Sequence, residues 1–211
     1  MNKEILSWND KKNIKIIANE LKNGGVVLGT SDTILGFLAV VDEQGMALLN
    51  RIKGRFDKPY IILIGEKSRL LDFTDRVPCQ VQTLIDACWP GPLTLIVKAK
   101  AGLSKGLQGA NGTIALRVPR HEGLLELLGN IPALFSTSAN KAGMPVPSCI
   151  KEIDPKILAE VDLLVVDDFQ GSVCPEVKPS TIIDCTGPQL KVIRLGAYSI
   201  DMLKDITGQN F

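Results

Sequence analysis

Alternation is the feature that most constrains this chain. Short aliphatic and β-branched runs take turns with segments of helical period, and glycine or proline stands at most of the joins. Residues 11–22 (KKNIKIIANELK) put Ile14, Ile17, Ala18 and Leu21 on one face, and Asn23-Gly24-Gly25 stops that helix. Val26–Leu28 and Phe37–Val41 read as strands around a polar insert, Gly29–Thr33. Residues 43–53 read as a helix ending at Gly54, and Tyr60–Ile64 as a fully buried strand. Asp75–Cys88 follows as a helix with Pro78 near its start. Further strands are expected at Leu93–Lys98, Thr113–Val118, Ala133–Ser136, Leu163–Val166, Ser180–Asp184 and Lys191–Arg194. Helices are expected at Gly123–Leu128 and at Cys149–Glu160, the latter with Pro155 near its start. Interleaving of this kind, without repeats or a Pro/Ser linker, predicts one α/β domain over residues 1–211. Its sheet should be twisted, open and mixed, with helices on its flanks.

Composition removes other classes. A chain of 211 residues buries enough surface to need neither disulfides nor a structural metal. Aromatic residues are only 5 %, so the core must be built from Val, Ile, Leu and Ala. The 24 Lys+Arg against 23 Asp+Glu leave a net charge of +1, which excludes the broad basic footprint of a dedicated nucleic-acid binder. Five cysteines without a C-x-x-C pair, and a single histidine, His121, exclude a zinc site of Cys and His ligands. Such thiols fit a reducing compartment. The polar N-terminus and the lack of a run of ~18 apolar residues predict a cytoplasmic protein without a membrane segment.

Four polar clusters sit at strand ends, where α/β sheets bind ligands. Thr30-Ser31-Asp32-Thr33 is either a self-bonded polar turn or part of a site. Lys53–Lys58 (KGRFDK) is either a solvated helix end or a polyphosphate-binding loop, Arg acting through its planar fork and Lys as a point charge. Ser136–Asn140 (STSAN) offers hydroxyls and an amide to phosphate or carboxylate oxygens, or caps a following helix. Arg117, inside the apolar strand TIALRVP, needs an anionic partner, either substrate or an internal Asp or Glu; Ser180-Thr181 and Arg194 are grouped with it. Neither a Walker A sequence, G-x-G-x-x-G nor G-x-S-x-G is present, and WPGPLTL (Trp89–Leu95) reads as a rigid turn into a strand. From the residues alone, the chain handles a phosphate-rich, anionic small molecule.

In their order these clusters resemble the YrdC/Sua5 family of L-threonylcarbamoyladenylate synthases. GGVV…TSDTILGF is similar to the family's GGVVAYPTDTVYGL, and IKGR…KP to its K-x-R loop. WPGPLTLI, T-x-A-L-R-V-P, STSAN with Gly143 and Pro145, STIID and IRLG complete the match, from about Gly24 to Arg194. The resemblance implies a YrdC-like fold and a nucleotidyltransferase. L-threonine, bicarbonate and ATP would give threonylcarbamoyl-AMP and pyrophosphate for the threonylcarbamoyladenosine modification of tRNA. Carried over by position, Lys53 and Arg55 would grip the nucleotide phosphates, and Ser138 and Asn140 would line the junction of threonine and α-phosphate. Thr33, Arg117 and Ser180, with Ser138, would hold threonine; Thr113, Ser148, Asn140 and Arg194 would lie on the ATP side. Mg2+ is expected with ATP, without protein ligands of its own. The expected partners beyond the substrates are tRNA and other tRNA-modification proteins.

Departures from the family pattern cluster near the amino-acid pocket. Thr30-Ser31 replaces Pro-Thr and Leu35 replaces a tyrosine. The basic loop lacks the proline after Arg55, the strand after it carries Leu63 and Ile64 without a histidine, and Leu195 stands where proline is common. Asp32 is the carboxylate nearest the expected chemistry. Two rival functions are an RNA-binding module without catalysis and an adenylylating or carbamoyl-transferring enzyme acting on another amine.

Overall fold

The computed structural model describes residues 4–54, 59–109, 111–167 and 178–209. It opens on a short strand, β1 (Ile5–Ser7), followed by helix α1 (Lys11–Lys22), whose first turn is capped by the Asp10 carboxylate accepting from the Lys12 amide. Strands β2 (Val27–Gly29) and β3 (Gly36–Val40) precede α2 (Glu43–Lys53). Asp42 caps α2 at Gly45, and Gly54 ends it in the left-handed conformation at φ 62°. Then come β4 (Ile61–Ile64), α3 (Cys79–Cys88), β5 (Leu93–Lys98), β6 (Thr113–Arg117), α4 (Glu122–Leu128) and β7 (Ala133–Ser138). Helix α5 (Pro155–Glu160), β8 (Leu163–Val166), β9 (Thr181–Asp184), β10 (Lys191–Arg194) and α6 (Ile200–Thr207) complete the order.

All ten strands join one sheet in the order β1-β8-β2-β3-β7-β4-β6-β5-β9-β10. It is mixed: β8 pairs in parallel with β1 and β2, β4 with β6 and β5 with β9, while the other neighbours run antiparallel. One face carries Phe37, Ile62, Leu95, Leu116 and Phe135, covered by Leu49 of α2, Leu84 of α3 and Leu203 of α6. The other carries Val27, Leu38, Leu63 and Leu134, covered by Ile14 and Ile17 of α1 and Leu124 and Leu127 of α4. Beyond β7, Ile61 of β4, Ile96 of β5 and Ile182 of β9 are only half-buried.

Prolines explain where the helices depart from expectation. The helix expected from Asp75 starts at Cys79, because Pro78 is its extended N-cap and disfavours helical backbone in the residue before it. The helix expected at Cys149–Glu160 divides into a 3-10 turn, Ile150–Glu152, and α5, with Pro155 in its first turn and the Asp154 carboxylate as cap. Strand β7 runs to Ser138 rather than Ser136, because β3 pairs with it to Gly36. Among the described residues no helix is long and apolar enough to cross a membrane.

Cys79, Cys88, Cys149 and Cys185 are free thiols; Cys174 lies outside the described residues. Burial and the neighbouring Asp184 carboxylate push the Cys185 thiol up to about 12. Burial also raises Cys88, partly offset by its hydrogen bond with Tyr198. The thiolate is the form that reacts. Iodoacetamide at pH 8 is therefore expected to alkylate exposed Cys79 in the native protein and to leave Cys88 and Cys185 unmodified until denaturant is added, as read by peptide mass spectrometry.

Candidate functional site

Strand register brings the polar clusters onto this second face. Side chains two apart on a strand point the same way. Pairing aligns Ser136, Ile61, Ala115, Ile96 and Asp184 in one row across β7, β4, β6, β5 and β9. One step along, on the same face, stand Leu134, Leu63 and Arg117, with Thr94 paired to Ile182 and Ile182 to Arg194. One step the other way stand Ser138, Thr113 and Lys98, the last two paired. The outer rows are thus four residues apart on β6, about 13 Å at ~3.3 Å per residue.

Lys53, the last residue of α2, anchors one end. Its side chain runs inward past the Phe37 ring, 6.0 Å from ammonium to centroid, and the residue is buried. The ammonium donates to the Ser138 carbonyl at 2.6 Å, Asn140 Oδ1 at 3.0 Å and Ser138 Oγ at 3.3 Å. Ser138 Oγ also donates to Asn140 Oδ1 at 2.5 Å, and Asn140 Nδ2 donates to the Met144 carbonyl. The Ala142 amide bonds the Lys53 carbonyl at 3.1 Å, so the loop after β7 is tied to the end of α2 twice. Lys53, Ser138 and Asn140 therefore form one unit. Arg55 lies outside the described residues.

Arg117 anchors the other end. Its Nε donates to the Gly91 carbonyl at 3.0 Å and its Nη1 to Thr33 Oγ1 at 2.9 Å. Nη2 lies 2.5 Å from Asp32 Oδ2 as an ion pair without a well-directed hydrogen bond. Burial lowers the guanidinium's pKa, and the Asp32 charge opposes that fall. The TSDT insert is thus both things the sequence allowed. It is self-bonded, Ser31 Oγ meeting Thr33 Oγ1 at 3.1 Å and the Ile34 carbonyl at 3.0 Å, and it also cages an arginine.

Ser180 lies beside this end, its hydroxyl 2.8 Å from that of Thr94. Arg194 donates through Nη2 to the Ser180 carbonyl at 2.8 Å and its hydroxyl at 3.1 Å. Burial first, then the charge of Arg117, lowers the Arg194 pKa, so the two guanidiniums share one electrostatic site. The structure thus groups Arg194 with Arg117 and Ser180, a full row pair away from Thr113. Ser148 stands apart: its amide and hydroxyl both donate to Glu152 Oε2, at 2.8 and 2.9 Å, and hold that carboxyl below its ordinary range.

Thr94 and the Gly91 carbonyl are members of the site that WPGPLTL, read as a rigid turn, did not reveal. A threonine inside the aliphatic run Leu93–Val97 is an anomaly of the same kind as Arg117 and was the available signal; it is wholly buried. Gly196 is another support. A Cβ there would stand 2.0 Å from the Pro179 carbonyl oxygen and 2.7 Å from the Ser180 carbonyl carbon, both backbone atoms that cannot swing away. Gly196→Ala is expected to cost about 1–3 kcal/mol of stability by overpacking and to displace Ser180; thermal unfolding reads the first effect.

Fold and site together define an α/β protein whose sheet carries two clusters of cations and hydroxyls on one face. More specifically, the chain belongs to the Sua5/YciO/YrdC family, whose profile, described as telomere recombination, matches residues 19–196. A Methanocaldococcus jannaschii protein, provisionally named a threonylcarbamoyl-AMP synthase, is 32 % identical over 195 residues, 92 % of this chain and 90 % of that one. The threonylcarbamoyl-AMP synthase of Pyrococcus abyssi is 28 % identical over 93 % of this chain, which spans 57 % of that protein. The structure of P. abyssi Sua5 complexed with L-threonine superposes with a TM-score of 0.88 at 25 % identity, over 99 % of this chain and 61 % of that one. Escherichia coli YciO matches in fold, with a TM-score of 0.81 at 23 % identity over 96 % of this chain and 100 % of that one.

Proposed function

We propose that this chain condenses L-threonine, bicarbonate and ATP into threonylcarbamoyl-AMP, releasing pyrophosphate and water. The observation that carries the reading is the pair of cation–hydroxyl clusters at two ends of one sheet face, in a family whose relatives bear that activity's name. The threonine amine gains a carboxyl group from bicarbonate, and an oxygen of the resulting carbamate displaces pyrophosphate at the α-phosphorus. That chemistry asks for alignment and charge neutralisation, not for a protein nucleophile.

Arg117 with Thr33 and Ser180 suits the amino-acid carboxylate, and Ser138 with Asn140 suits the carbamate–phosphate junction. Lys53 supplies positive charge there and holds both partners in place; Arg55 and Thr113 complete the proposed nucleotide contacts, while Arg194 stands with Arg117 and Ser180 at the amino-acid end and Ser148 is engaged by Glu152. A largely apolar cavity of about 470 Å³ opens beside Asn140, lined by Ala139, Met144, Pro145, Val146, Ile153 and Ile157, and suits a nucleobase. Among the described residues no three metal-ligating side chains gather. A Mg2+ bound with ATP would be held by the triphosphate oxygens, where it would offset the charge of the leaving pyrophosphate. Leu35 is 2 % exposed and packs in the core with Phe37, so it presents no wall to threonine. Amino-acid selection is left to Thr33, Arg117 and Ser180. The mixed anhydride so formed is the donor for tRNA modification, in the cytoplasm, with tRNA and its modification proteins as consumers.

Pyrophosphate release is the test. It is expected to need ATP, L-threonine and bicarbonate together, and to fall to background when any one is left out. Release driven by other amines but not threonine would replace this assignment, as would salt-sensitive tRNA binding without turnover.

A further inference from the structure

We infer that Asp32 is a positioning residue for amino-acid binding, acting through Arg117; this rests on the activity proposed above. Arg117 is deeply embedded in the sheet, with only 6 % of its side chain exposed, and Asp32 is itself 10 % exposed. Three protein groups fix the guanidinium from different directions: the Gly91 carbonyl at Nε, Thr33 at Nη1 and Asp32 at Nη2. Gly91 and Thr33 are neutral. Asp32 alone brings charge, and it does so between two strands' ends, because the same oxygen accepts the Arg120 amide at 2.9 Å. The turn after β6 and the turn after β2 are therefore pinned together at the guanidinium.

Electrostatics gives Asp32 a second effect. Arg194 feels the charge of Arg117, and the two cations would repel at the site that must receive one carboxylate. One fixed anion behind Arg117 offsets part of that repulsion while leaving the Arg117–Arg194 pair net positive toward substrate. The other Asp32 oxygen, Oδ1, is buried without a hydrogen-bond partner among the described residues.

The test is Asp32→Asn, which keeps the shape and the acceptor for the Arg120 amide but removes the charge. Steady-state pyrophosphate release is expected to show the KM for L-threonine raised at least tenfold, with the KM for ATP within about twofold and kcat little changed. Asp32→Glu, which restores the charge, should recover part of the loss. Calorimetric titration of L-threonine onto each variant gives the same ordering without turnover, and thermal unfolding reports whether each variant is folded. An unchanged threonine KM in folded Asp32→Asn overturns the positioning role. So does a lowered one, which would make Asp32 a competitor for the guanidinium. A kcat that falls with threonine KM unmoved overturns it in favour of proton transfer. If wild-type protein shows no threonine-dependent release, the proposed activity fails instead, and the two failures are distinct.

Discussion

Arg117→Ala is expected to abolish threonine-dependent turnover and to lower the melting temperature by about 6–20 °C. The second effect follows from the ion pair with Asp32. Removing the guanidinium leaves the nearly buried Asp32 carboxylate facing no cation, and breaking a buried pair from one side costs about 3–5 kcal/mol. In a chain of this size each kcal/mol shifts the midpoint by roughly 2–4 °C. Differential scanning calorimetry checks it. Pairing Arg117→Met with Asp32→Asn removes both charges together, so that double variant should recover much of the lost stability and none of the activity. A double variant as unstable as Arg117→Ala would mean that Arg117 matters to the fold through packing, not through its charge.

Lys53→Ala should be nearly as severe, for a different reason. One ammonium holds the Ser138 carbonyl, the Ser138 hydroxyl and the Asn140 side chain, and through them the whole turn after β7. A hydrogen bond to a charged group is worth about 1.5–3 kcal/mol, and misplacement of reacting groups by an ångström costs on the order of a hundredfold. The kcat/KM for ATP is expected to fall by about 10²-fold or more, and the affinity for L-threonine measured by titration much less. Lys53→Met, which keeps the apolar stem against Phe37, should match Lys53→Ala in activity while unfolding at a higher temperature. If only the threonine dependence changes, Lys53 does not serve the nucleotide end.

Much of this architecture is legible because its signals are local. Ile14, Ile17, Ala18 and Leu21 repeat at helical spacing, and α1 is where they put it. Gly54 marks the end of α2 because that turn needs a positive φ. Pro78 and Pro155 mark helix starts, but their effect on the residues before them shortened one expected helix and divided another. Strand β1 carries a weaker signal, whereas α6, capped by Ser199 and closed by Gly208, carries ordinary helix signals. Ile5–Ser7 is three residues long and is defined by its partner β8, a pairing across more than half the chain. The site follows the same division. Arg117 stood out as a charge in an apolar strand, and its need for an anion was readable. That the anion is Asp32, that Thr94 orients Ser180, and that Arg194 joins Arg117 instead of Thr113 are consequences of sheet register. Register is a long-range property that no local pattern in this sequence states.

The most direct measurement follows label from bicarbonate. Purified protein is given isotopically labelled bicarbonate, L-threonine and ATP with Mg2+, and adenylates are resolved by mass spectrometry. A species with the mass of threonylcarbamoyl-AMP should appear, carry the label, form in step with pyrophosphate, and be lost in Arg117→Ala and Lys53→Ala. Conversion of ATP to AMP or ADP with no labelled adenylate, or a labelled adenylate that forms equally well without threonine, would contradict the assignment.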